Sequence, residues 1–316
     1  MPKVSVCIPV YNVEHYIGRC LESILCQSLK DIEIIVVNDC TPDSSMDIVR
    51  KYASEDNRIK MIEHSENHGQ MVARRTGYMK ATGDYITFCD SDDTLADGAL
   101  EALYNKAVME NADVVSGVIE YIPVKGKRYC WKNELSYGTD KIAVYRSVLT
   151  NEFGHNLCSR LFRREILQSY EYETYERATN GEDGMLFYQV VDYVSKVVAI
   201  DKIVYEYWQN LQSSSQVRLK DHALRSIALG NAMRKKTSGK YENLKHITDR
   251  KISSTYWGLR AHGYDIGKFY SEVGLCGYDG FWNLLRIQGF KGSMRIFLQF
   301  RFMLIDVLRS KYDKSM

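Results

Sequence analysis

Two apolar runs that end in acids constrain the fold more than any other feature of the chain. IEIIVVND (residues 32–39) and YITFCDSDD (residues 85–93) are apolar along most of their length, without the polar alternation of a strand that faces water. Such runs suit strands covered by helices on both faces, the arrangement of parallel α/β sheets. Shorter runs at Val4 to Ile8, Ile59 to Ile62 and Asp113 to Gly117, spaced by amphipathic stretches, extend the βαβ pattern through residues 1–120. Open sheets of this kind bind ligands at the carboxyl edge of the strands. IPVYN, VVND and FCDSDD therefore deliver polar and aromatic groups to one crevice.

The remaining pattern divides the chain. Residues 1–217 read as one α/β domain, with 1–120 as one half and 121–217 as the other; SRLFRREIL, a helix opening at NGEDGMLFYQVV and a Tyr-rich strand KIVYEYW belong to the second half. Residues 218–316 read as helical, with breaks near Gly239, Gly263 and Gly289. The 316 residues, 45% hydrophobic, suffice for one full core and a smaller module. Forty-two basic against 40 acidic residues give a net charge of +2, which argues against a nucleic-acid partner.

The 8 cysteines include no CxxC pair, and Cys7 and Cys89 sit inside apolar strands, as small buried hydrophobes do in a reducing compartment. MPKVSVCIPV leaves no room for a signal peptide, and no apolar run approaches the roughly 18 residues of a membrane span. A cytoplasmic location is expected.

Asp90 to Asp93, directly after a strand, form the sharpest local feature. Carboxylates this close raise one another's pKa unless a cation holds them ionised, and hard oxygen ligands suit Mg²⁺ or Mn²⁺. The same residues also suit a solvated turn before a helix from Asp97 onward. Glu182 and Asp183 open a helix, where acids favour the dipole in any case. The 7 histidines form no HxH or HExxH cluster; His68 and His155 are isolated.

IPVYNVEHYIGRCLESIL, IEIIVVNDCTPDSS, NHGQMVARRTGYMKATGDYITFCDSDD and NGEDGMLFYQ follow in the order and spacing of the inverting family 2 glycosyltransferases, which the sequence resembles over residues 3–210. Agreement of all these segments is specific, whereas an Asp-x-Asp alone is common. The resemblance implies a glycosyltransferase A-type fold: α/β, Rossmann-like, with a mostly parallel central sheet flanked by helices, here with a helical C-terminal extension. It implies a hexosyl- or N-acetylhexosaminyl-type enzyme of polysaccharide or glycan synthesis. The donor would be a nucleoside-diphosphate sugar, with UDP expected, and the acceptor a glycan or lipid-linked hydroxyl. Carried over by motif, Pro9 and Tyr11 would line the uracil pocket and Asp39 would accept a hydrogen bond from the base. Arg74 would reach the nucleotide, Asp90 and Ser91 would approach the ribose and diphosphate, and Asp92, with Asp90, would hold the divalent metal. Asp183 would be the general base and Glu182 would hold the acceptor, with the two roles open to exchange. Asn38, Cys40, Arg75, Cys158 and Arg160 stand where the family pattern often has other residues.

The segment 289–312 carries Phe290, Met294, Phe297, Leu298, Leu304, Ile305 and Leu308 at helical spacing, with Lys291, Arg295, Arg301, Arg309 and Lys311. It suits an anionic membrane on the inner face of the cell, a second subunit or the chain's own core. A sugar-phosphate nucleotidyltransferase is the competing enzyme class, but PVYNVEHYIG lacks its glycine-rich phosphate loop. A non-catalytic nucleotide- or glycan-binding protein is the other alternative, and it gives no reason for Asp92 and Asp183 to occur together.

Overall fold

Val4–Val10 (β1) and Ile32–Asn38 (β2) are buried at every position, and they pair in parallel as central strands of one sheet. The computed structural model describes residues 1–131, 140–152, 154–178, 181–210, 220–261, 267, 275–279 and 282–296. Between and after these strands come α1 (Ile17–Leu25), α2 (Ser45–Glu55), β3 (Ile59–Glu63), α3 (Gln70–Lys80), β4 (Tyr85–Phe88), β5 (Thr94–Leu95) and α4 (Ala99–Glu110). The second half adds β6 (Val114–Ile122), β7 (Tyr129–Trp131), α5 (Lys141–Thr150), β8 (Arg160–Arg163), α6 (Arg164–Gln168), α7 (Glu182–Val190) and β9 (Val197–Trp208).

The strand order is β3-β2-β1-β4-β8-β6-β9-β5, with β7 on β6. The first four are all parallel, as their apolar runs require. The other half is mixed: β8 runs antiparallel between β4 and β6, β6 and β9 are parallel, and β5 and β7 are antiparallel additions. β8 runs backwards because the chain enters it from the carboxyl edge, through residues 154–159. β6 continues to Ile122, past the Gly117 boundary expected from the sequence, because an irregularity at Ser116–Ile119 lets the strand stay in register with β9.

Helices cover the sheet through periodic apolar faces. In α1 the buried residues Ile17, Cys20, Leu21 and Ile24 recur at helical spacing, and in α4 Ala99, Leu100, Leu103 and Ala107 do the same. α4 starts at Ala99, two residues beyond the expected Asp97, because Gly98 adopts a left-handed conformation immediately before it.

The chain forms two compact units, residues 1–219 and 220–316. The second contains α8 (Lys220–Ser238), α9 (Lys245–Ala261) and helical residues 282–296. Its core joins Ala228, Ile252, Tyr256, Leu275 and Tyr278. The expected break at Gly239 ends α8, and Gly289 has a φ of 69°. Gly263 and residues 297–316, with most of the basic apolar segment, lie outside the described residues. No helix among the described residues is long and apolar enough to cross a membrane.

Candidate active site

β1, β2 and β4 end at one edge, and the segments after them are cross-braced before any ligand is considered. Asp43 accepts from the backbone N–H of Glu14 at 2.9 Å, from Thr41 Oγ1 at 2.7 Å and from Ser45 Oγ at 2.6 Å. Thr41 Oγ1 accepts in turn from the N–H of Asn12 at 2.7 Å, so the turns after β1 and β2 move as one. Pro9 is buried within β1, whereas the Tyr11 ring just beyond it is 48% exposed.

Asp39 is buried and already well supplied with donors. Its Oδ1 meets His64 Nδ1 at 2.8 Å and accepts from the N–H of His68 at 3.0 Å, while Oδ2 accepts from the N–H of Gly69 at 2.7 Å. Gly69 permits this with a φ of 92°; a Cβ there would lie 2.7 Å from the Arg177 backbone. Because an oxygen accepts two hydrogen bonds, one lone pair of Oδ2 remains for a further donor.

Arg74, on α3, joins the two halves of the domain. Its guanidinium donates to Asp90 Oδ1 at 2.7 Å and to Asp183 Oδ1, with Glu182 3.8 Å away. Burial alone would lower its pKa; Asp183 and Asp90 outweigh that and hold it well above the usual value. Gln70 Nε2 also donates to Asp90 Oδ1 at 2.8 Å, and the Cys158 thiol lies 3.4 Å from Asp90 Oδ2. Asp183 Oδ2 accepts from the N–H of Leu157 at 3.3 Å, and Glu182 Oε2 is buried without a hydrogen-bond partner. Burial raises both carboxyls against the pull of Arg74; beside Asp183, Glu182 is pushed up to about 7.

The other acids after β4 lack such a cation. Asp93 is held by Tyr205 Oη at 2.7 Å and the N–H of Trp208 at 2.8 Å, which occupy one oxygen each. Asp92 Oδ2 accepts from Asn210 Nδ2 at 3.0 Å, and Arg19 turns its guanidinium to the Asp92 backbone carbonyl, at 2.7 Å, instead of to the carboxylate. Burial raises both carboxyls, and repulsion from neighbouring carboxylates adds to it. Half-buried Asp92, its pKa raised by burial and by the neighbouring Asp90, fits a hard divalent cation that keeps waters and takes diphosphate oxygens. Among the described residues no group of three or more His, Cys, Asp or Glu forms a ready cage.

The model for glycosyl transferase family 2 matches residues 5–171, more than half of the chain. The chain belongs to that family. Glycosyltransferase GlyA of Streptococcus pneumoniae is 35% identical over 229 residues, covering 68% of this chain and 32% of that protein, so the chain spans about a third of that relative's length. Staphylococcus aureus TarS 1–349 in complex with UDP-GlcNAc shares the fold at a TM-score of 0.62 and 18% identity, over 90% of this chain and 81% of that one. The mannosyltransferase PcManGT of Pyrobaculum calidifontis in complex with GDP-Man and Mn²⁺ matches at 0.54 and 15%, over 94% and 86%.

The fold brings Arg74, Asp90, Glu182 and Asp183 into one charged cluster, and puts Asp39 and Tyr11 on the turns after β2 and β1. Ser91 is buried between Asp90 and Asp92. His155 is structural, bonded to the Val148 carbonyl at 2.8 Å and Tyr188 Oη at 2.7 Å. Sequence reasoning missed Gln70, Asn210, Cys158 and Tyr205 as site residues. Asn210 follows the end of β9, so the rule that singled out polar groups after strands would have found it. Tyr205 carries no local signal, and Cys158 stands out only as a departure from the family pattern.

Proposed function

We propose that this transferase moves a sugar, with inversion, from a nucleoside diphosphate, UDP foremost, to an acceptor hydroxyl in glycan synthesis. The observation that carries the reading is the Arg74 bridge, which ties Asp90 after β4 to Asp183 on α7. Tyr11 offers an accessible ring face to the base, and the remaining lone pair of Asp39 suits the ring N–H of uracil. UDP is also favoured by the UDP-GlcNAc complex of TarS, a structural neighbour.

The reaction needs one in-line displacement. The acceptor oxygen attacks the anomeric carbon as Asp183 takes its proton, the bond from that carbon to the phosphate oxygen breaks, and its electron pair leaves with the nucleotide. Glu182, beside Asp183, holds the acceptor. Arg74 keeps Asp183 oriented and lowers the charge that the two carboxylates would otherwise share. A divalent ion held by Asp92 with Asp90 would neutralise charge on the departing diphosphate.

Purified protein with Mn²⁺ and a panel of UDP-, GDP- and dTDP-sugars should slowly release UDP. Asp92→Ala should weaken Mn²⁺-dependent UDP binding. Asp183→Asn should keep binding and lose transfer by about 10²–10⁴-fold. Normal turnover by the second variant would remove the base assignment, and pyrophosphate release from a nucleoside triphosphate would favour a nucleotidyltransferase.

A further inference from the structure

We propose that Trp131 and Tyr129, on the edge strand β7, form a stacking subsite for a sugar ring of the acceptor, an inference that rests on the transfer reaction proposed above. The register places Trp131 opposite Ile119 and Tyr129 opposite Tyr121, and these stand opposite Tyr205 and Tyr207 of β9. Side chains two apart on a strand share a face, so all six belong to one face of the sheet. On that face the Tyr205 hydroxyl accepts from the N–H of Asp90 at 3.2 Å and donates to Asp93 at 2.7 Å. The aromatic row therefore shares a sheet face with the acid cluster.

A second line of contact leads from Trp131 to the base. Its six-membered ring stands against Gly154, 3.2 Å from where a Cβ would be. The next residue, His155, packs against Gly184 of α7, at 3.4 Å from the equivalent point, and Asp183 is the neighbour of Gly184. Two residues further on, Leu157 donates its N–H to Asp183. One short loop thus connects the Trp131 ring to the acceptor side of the reaction.

Tyr129 is 58% exposed and Trp131 45%, on a strand whose three residues all face solvent. Exposed aromatics on a sheet edge are a liability unless a ligand uses them. Tyr129 stacks on Tyr121 at 4.7 Å and Tyr121 on Tyr207 at 5.4 Å, which stiffens the row and reduces the ordering that binding demands. The six residues of this face carry no formal charge, so an anionic ligand finds no partner among them. A pyranose fits their chemistry: its C–H face packs on an aromatic ring, and its rim hydroxyls meet tyrosine hydroxyls.

Saturation-transfer NMR on the full chain with UDP and Mn²⁺, using cellobiose, lactose and chitobiose as probes, should detect saturable binding of at least one. Trp131→Ala should weaken it about tenfold, and Trp131→Phe should recover most of the loss. In transfer assays with the same saccharides, Trp131→Ala and Tyr129→Ala should raise acceptor KM about tenfold and change donor KM less than about twofold. The inference is overturned if no saccharide binds, if acceptor KM is unchanged in both variants, or if gel filtration shows a dimer that Trp131→Ala dissociates. Binding is read without turnover, so a failure of the transfer reading would show separately, as absence of nucleotide release from every donor.

Discussion

Glu33 is a buried carboxylate and Asp92 a half-buried one, and the supply of donors separates a structural acid from the proposed metal ligand. Glu33, 3% exposed on β2, receives Lys60 Nζ at 2.5 Å, Ser5 Oγ at 2.6 Å and the Thr82 N–H at 2.6 Å. Burial would raise its pKa, but these donors outweigh burial and bring it down to about 2. Asp92 has one side-chain donor, and burial wins. Because the folded pKa of Glu33 lies below its unfolded value, its contribution to stability is complete above about pH 4.5 and is lost as pH falls toward 2. Glu33→Gln should therefore cost about 1–3 kcal/mol at pH 7, with the gap to the parent protein closing below pH 4.5 in denaturant titrations. An equal gap at pH 7 and pH 3 would refute the role. Neither donor set is legible in the sequence: Glu33 lies between two isoleucines and Asp92 between Ser91 and Asp93, and their donors come from other elements.

At the scale of elements, the junction of β6 and β9 positions the second half of the site. Tyr205 on β9 reaches Asp90 and Asp93, and the strand must lie close to β6 to do so. Gly117 makes that approach possible, since a Cβ there would fall 3.0 Å from the Val204 Cβ, which cannot swing aside. Gly117→Ala should destabilise the domain by about 1–3 kcal/mol in chemical denaturation and shift the near-ultraviolet signal of the tyrosines, which an unstrained surface substitution would not do. The glycine was legible as the end of an apolar run, but its partner was not. The parallel half of the sheet was readable because β1 and β2 are apolar along most of their length. The antiparallel placement of β8 was not, because RLFR carries the same local pattern in either direction.

For the whole molecule, the residues that would hold the donor come from β1, β2, α3 and β4, all in the first unit. A ligand that binds only the folded form stabilises it by mass action, by about 2.7 kcal/mol at a concentration 100 times Kd. UDP with Mn²⁺ should therefore raise the Tm of the first unit in calorimetry, and chelation should reverse the rise. A UDP effect equal in EDTA would remove the metal from the donor site. The family model covers residues 5–171, inside the same unit, as expected if the shared chemistry resides there.

The sequence by itself determined the α/β class, the family and which acids to examine, because apolar periodicity and motif order are local properties that survive without coordinates. Only the tertiary structure decided what those acids do to one another. Arg74 is separated by 109 residues from Asp183 and by 16 from Asp90, yet it bridges both carboxylates. Charge, burial and donor supply act through space, and no spacing along the chain encodes them.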